Sequence, residues 1–131
     1  MNVGHILLSA ERINKSYGYS RILNNVHFEL YKGEVLGLAG ENGAWKSTLL
    51  KILAGVTPAD SGTIYWENKE IKIHNPVDAT LKGIGMVFQE QNLIPMLPVF
   101  ENMFLGRQPS LFLQDKRKMV RICEETFAEL G

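Results

Sequence analysis

VLGLAGENGAWKSTLLKILA, residues 35–54, is the stretch whose reading decides the fold. It opens on an apolar run, Val35, Leu36, Leu38 and Ala39, that reads as a strand over 34–39. A glycine-bearing turn, GENGAW, follows. Lys46, Ser47 and Thr48 then open a helix whose Leu49, Leu50, Ile52 and Leu53 can face a core, with Gly55 suited to end it. Strand, turn, Lys-Ser-Thr and helix in that order make a phosphate-binding loop. The first amides of a helix lack intrahelical acceptors and so point at an anion. Lys46 would set a positive charge against the outer phosphates, and the Ser47 hydroxyl would suit Mg²⁺. One position departs from the pattern G-x-x-x-x-G-K-[ST]: Trp45 stands where it asks for glycine.

Working outward, residues 7–15 (LLSAERINK) and 22–30 (ILNNVHFEL) alternate as half-buried strands, with the turn SYGYS between them. Strands in hairpin order ahead of the loop predict an antiparallel sheet beside a parallel core. Downstream, TIYW (63–66) and EIKI (70–73) flank the turn ENK as a second hairpin. Asn75 caps a short helix that begins at Pro76 and closes at Gly83. IGMVF (84–88) has the apolar continuity of a buried strand, with Gln89 at its end. LIPMLPVFENMFLGR (93–107) mixes a loop with a short helix around 99–105. From Asp115 to Leu130, the spacing of Val120, Cys123, Phe127 and Leu130 predicts an amphipathic helix.

The 131 residues allow one modest domain with a real core. Lys+Arg and Asp+Glu both total 14, so a zero net charge gives no sign of a nucleic-acid partner. One cysteine, Cys123, excludes an internal disulfide framework and fits the apolar stripe of its helix. No apolar run reaches the roughly 18–20 residues of a membrane span. His5, His27 and His74 lack ligand spacing, and Lys116-Arg117-Lys118, Glu124 and Glu125 read as solvated helix positions.

Three stretches carry a likeness: GENGAWKST, MVFQE with Gln89, and QNLIPMLPVFENMFLGR. Together with the upstream hairpin they resemble the N-terminal part of an ABC transporter ATP-binding subunit, of the bacterial monosaccharide-importer type. The resemblance implies an α/β fold of the P-loop NTPase ABC-cassette kind, with an antiparallel β-subdomain beside an incomplete parallel-sheet core. Residues 1–131 would form part of one ATP-binding domain, with about 115–131 starting its helical subdomain. Tyr17 would stack on adenine, since an aromatic face suits a flat base. Gly40, Glu41, Asn42, Gly43, Ala44, Trp45 and Lys46 would form the loop around the phosphates of ATP, while Ser47 and Thr48 would serve Mg²⁺ and the α-phosphate. Gln89 would contact Mg²⁺ or the attacking water in a catalytic role. Residues about 90–107 would face the membrane-spanning subunit, and a second cassette would close over the nucleotide. The setting would be peripheral, on the cytoplasmic face of the bacterial inner membrane. Read without the resemblance, Tyr17 is a turn aromatic with Tyr19 as an equivalent, and Gln89 ends a strand.

Two departures from the family pattern carry expectations. Pro98 replaces a usual threonine near a helix start, where proline is tolerated. Trp45 puts a Cβ where backbone should pass close to phosphate; if the turn needs φ > 0, strain alone costs about 1–2 kcal/mol. Its indole must go either to solvent or to where the phosphates belong, so ATP affinity is expected to be severely reduced. The signature sequence, the acidic Mg²⁺-holding strand, the catalytic glutamate and the switch histidine would lie beyond Gly131, and the residues present are not expected to turn over ATP alone. The strand at 34–39 would then expose an unpaired apolar edge, with marginal stability or self-association as the expected result. The contrasting reading is a non-catalytic, truncated remnant that binds no nucleotide and at most contacts a transporter subunit.

Overall fold

The computed structural model describes residues 4–40, 43–88, 93–106 and 116–130. They fall in two compact units, Met1–Val87 and Phe88–Gly131. In the first, β1 (Ile6–Tyr17) and β2 (Ser20–Tyr31) form the long hairpin expected from the alternation, turning at Gly18 with φ +58°. β3 (Ser61–Trp66) and β4 (Lys69–Ile71) form the second hairpin, whose turn places Glu67 and Asn68 at positive φ. The antiparallel sheet runs β2-β1-β3-β4. The ladder is interrupted between Ala10 and Ile13, where Arg12 takes φ +52°. An extra residue inserted there shifts the inward parity from Leu8 and Ala10 to Ile13 and Lys15, so both halves of β1 keep facing the core.

Helix α1 (Ala44–Leu53) lies against this sheet, and its Leu49, Ile52 and Leu53 join Leu8, Ala10, Ile13 and Leu23 in the core. It starts at Ala44 rather than at the expected Lys46, which brings Trp45 into the first helical turn. Helix α2 (Pro76–Leu81) begins as expected at Asn75, whose side chain accepts the Asp78 N–H at 2.9 Å.

Two expected strands do not form. Neither 34–39 nor 84–88 enters a ladder among the described residues. A strand exists through its neighbours' N–H and C=O groups, and an apolar run of the parallel type needs them on both sides. Without such partners these runs are irregular coil, with Val35 99% and Val87 97% exposed. The unpaired apolar surface expected of 34–39 is present, although not as a strand edge. Leu38 and Ile84 still pack on the core.

The second unit contains α3 (Val99–Met103) and α4 (Lys116–Leu130). Pro98 is the residue at the start of α3. Asn102 binds the preceding loop: its Oδ1 accepts the Ile94 N–H at 2.8 Å, and its Nδ2 donates to the carbonyls of Ile94 and Leu97 at 3.1 and 3.0 Å. The buried positions of α4 are Met119 and Cys123, the latter with Sγ 3.2 Å from Met103 Sδ. The expected stripe therefore shifts: Phe127 and Leu130 are exposed. A five-residue α3 can cover only part of a fifteen-residue partner. The expected start at Asp115 lies outside the described residues.

Candidate phosphate-binding site

The site is built at the start of α1. Gly43 occupies the N-cap with φ −143° and ψ 162°, and among the described residues no side chain caps it. Among the described residues no side chain satisfies the first-turn amides, the condition in which a helix start favours an anion. Gly40, at the other end of the loop, has φ +155°, which a side chain would rarely adopt. Glu41 and Asn42 lie outside the described residues.

Two side chains turn back across the loop onto Gly40. Lys46 Nζ donates to the Gly40 carbonyl at 2.7 Å. A Cβ on Gly40 would stand 3.0 Å from Cζ2 and 3.3 Å from Nε1 of Trp45. The half-buried indole also packs on the hydrophobic core, and the Lys46 ammonium lies 5.4 Å from its centroid. This corrects the strain expectation. Trp45 is helical and is not among the residues at positive φ, so its backbone carries no left-handed penalty. The indole does not go to solvent: it is half buried and lies over Gly40, the first glycine of the loop expected to hold the phosphates. Ser47 is exposed, while Thr48 is buried at 4% exposure.

Tyr17 ends β1 with its ring half exposed and 5.5 Å from the Lys15 ammonium. Tyr19 is fully exposed. Gln89 lies outside the described residues. Of residues 90–107, those from 93 to 106 are described, and Leu93, Met96, Val99 and Leu105 are exposed. A cleft of about 260 Å³ between the loop after α1 and the β3–β4 hairpin is lined by none of the expected site residues. Among the described residues, no three His, Cys, Asp or Glu side chains converge on a metal position. No described helix is long and apolar enough to cross a membrane.

The sequence reading passed over Lys15 and Asp60. Lys15 is nearly buried, and its Nζ lies 2.9 Å from Asp60 Oδ1. The signal available was a lysine at an inward position of an alternating strand, which needs a counter-charge. The Lys15 hydrogen bond, then the Ser16 N–H, hold the Asp60 carboxyl below its ordinary range. Lys82 and the His74 N–H do the same for Asp78. Carboxyls with depressed folded-state pKa values contribute stability that is present above the unfolded value near 4 and lost as pH falls through the folded value. Stability to urea should therefore drop below about pH 4, and Asp60→Asn and Asp78→Asn should each flatten that drop. An unchanged acid profile in both variants would contradict this assignment.

Comparison with known proteins agrees with this geometry. A family profile described as ABC transporter matches residues 23–131. The chain is 42% identical over 130 residues to the ribose import ATP-binding protein of Shouchella clausii, covering 96% of this chain and 26% of that protein. It is 43% identical over 126 residues to the galactofuranose transporter ATP-binding protein of Escherichia coli, covering 95% and 25%. Among solved structures, a nucleotide-free ATP-binding cassette from an ABC transporter superposes with TM-score 0.71 at 34% identity, covering 79% of this chain and 41% of that one. The chain thus spans about a quarter of the length of these curated relatives. A glycine-flanked loop on a helix start capped by Gly43, an antiparallel hairpin sheet ahead of it and a profile match over most of the sequence place this chain in the ABC transporter family of ATP-binding cassettes.

Proposed function

We propose that this chain supplies the phosphate-binding part of an ATP-binding cassette that energises import of a monosaccharide. The observation that carries the reading is the glycine-capped start of α1 facing Gly40, with Lys46 able to reach across to the Gly40 carbonyl. The relatives named for ribose and galactofuranose transport support the substrate class. The residues fit ATP in kind: amides at the start of α1 and the Lys46 ammonium for the phosphates, the exposed Ser47 hydroxyl for Mg²⁺, and the Tyr17 face for the base. When bound, Mg²⁺ would neutralise phosphate charge; the chain's own groups bind and orient. Gln89 would act as a catalytic residue. Residues about 90–107, with their exposed apolar side chains, would meet the membrane-spanning subunit, and a second cassette would close over the nucleotide. The domain reading is one ATP-binding domain with about 115–131 opening its helical subdomain, held peripherally on the cytoplasmic face of the inner membrane.

A second reading is favoured by a specific observation. Trp45 and Lys46 both close on Gly40, which supports a remnant that binds no nucleotide. Titration with a fluorescent ATP analogue and Mg²⁺ separates the two. The first reading expects saturable binding that Lys46→Ala weakens tenfold or more. No binding, even after Trp45→Gly, would establish the second.

A further inference from the structure

Tyr17 sits where the sheet gives it least support. The β1–β3 ladder ends at Asn14 opposite Ser61, so the last three residues of β1 pair only with β2 among the described strands. That remaining ladder shifts register at Lys15 and again at Ser16, each shift leaving an extra residue on β2. Extra residues on β2 disrupt the ladder locally, so this end of β1 has fewer regular sheet hydrogen bonds to hold it in place.

Asp60, in the loop between α1 and β3, makes up the deficit. Its N–H donates to the Asn14 carbonyl at 2.9 Å. Its Oδ1 accepts from Lys15 Nζ at 2.9 Å, and its Oδ2 accepts from the Ser16 N–H at 2.7 Å. Three consecutive residues of β1 are thereby fixed by one aspartate just before the aromatic. Lys15 and Tyr17 are two apart on a strand and share a face. The ammonium anchored by Asp60 stands 5.5 Å from the Tyr17 centroid, within cation–π range. Lys15 is 11% exposed at its side chain, so the charge is held in place and not waving in solvent. With Tyr17 half exposed, the ring face away from Lys15 is the one it would offer a flat partner.

We infer that Asp60, acting through Lys15, is a positioning residue that sets the Tyr17 ring as a nucleobase platform. This rests on the reading of Tyr17 as the residue that stacks on adenine. The role is geometric: neither Asp60 nor Lys15 touches the base, and both determine which way the ring faces.

The test uses the full chain and its Trp45→Gly form, with Asp60→Asn, Lys15→Met and Tyr17→Leu in each. Two readouts are taken. The first needs no nucleotide: the upfield displacement of the Lys15 ε-methylene resonance by the Tyr17 ring current. The second is binding of Mg²⁺-ATP against Mg²⁺-tripolyphosphate, which has no base. Asp60→Asn and Lys15→Met are expected to weaken ATP about threefold to tenfold and leave tripolyphosphate within twofold, and Asp60→Asn to remove the ring-current displacement. Persistence of that displacement in Asp60→Asn, or equal weakening of both ligands, would overturn the inference, since a merely structural role moves both alike. If Tyr17→Leu itself leaves the ATP-to-tripolyphosphate ratio unchanged, the platform reading fails and the inference falls with it. If Tyr17→Leu changes the ratio and neither Asp60→Asn nor Lys15→Met does, the inference alone fails. Absence of binding by either ligand in the Trp45→Gly form would refute the platform reading directly.

Discussion

Replacing Trp45 by glycine should tighten Mg²⁺-ATP binding by about 30- to 100-fold. The origin of that gain is side-chain obstruction, because Trp45 is helical and carries no left-handed backbone penalty. The indole packs on the core and over Gly40, so seating a triphosphate in the loop requires it to leave apolar contacts. Losing such contacts costs about 2–3 kcal/mol, against about 1.4 kcal/mol for each tenfold in affinity. The Lys46 ammonium near the ring adds up to about 1 kcal/mol to the closed arrangement at an exposed site. Folding stability should move the opposite way. Glycine in a helix costs about 1 kcal/mol relative to alanine, and the packed indole is lost as well. Opposed signs in binding and unfolding would mark an obstructing side chain. Equal ATP affinities in the two proteins, by analogue titration, would show that the indole does not stand in the way. With Trp45 and Trp66 as the two tryptophans, emission from the Trp66→Phe background reports the indole directly.

The antiparallel half of the fold was legible because its cues are local. Alternation in β1 and β2, the ENK turn and the Asn75-Pro76 helix start each contain their own reason, and each element formed within a few residues of its expected bounds. The runs at 34–39 and 84–88 do not form the strands their sequences suggest, for the converse reason. Apolar continuity says what a segment would bury but not what it will pair with, and pairing is what makes a strand. Trp45 illustrates a third limit. The loop pattern flagged the position, but the direction of the indole depended on Gly40 lacking a side chain and on the hydrophobic core it packs against. Lys15 and Asp60 were missed because 45 residues separate them and the ion pair exists only once α1 has returned the chain to β1.

Gly55→Ala should destabilise the first unit by about 3 kcal/mol or more, a larger loss than the roughly 1 kcal/mol expected for removing the Asn75 cap. Gly55 follows the C-cap of α1 at φ +71°, its N–H bonding Ile52 O at 3.0 Å and the Val56 N–H bonding Lys51 O at 2.8 Å. That pair of bonds is a left-handed helix stop, in which alanine costs about 1–2 kcal/mol. The remainder is steric. A Cβ there would lie 2.6 Å from the Asn75 carbonyl oxygen and 2.7 Å from Ile73 Cγ2. Asn75 cannot yield, because its carbonyl accepts the Ala79 N–H at 3.1 Å and its side chain accepts the Asp78 N–H at 2.9 Å. Moving it would uncap α2 while relieving α1. Gly18 supplies the comparison, with a similar φ of +58° and nothing within 4 Å of an added Cβ. Gly18→Ala should therefore cost only the dihedral share, about 1–2 kcal/mol. Chemical unfolding of the two variants side by side isolates the close approach between the end of α1 and the start of α2. Equal losses would mean that φ alone sets the cost and that the contact with Asn75 contributes nothing.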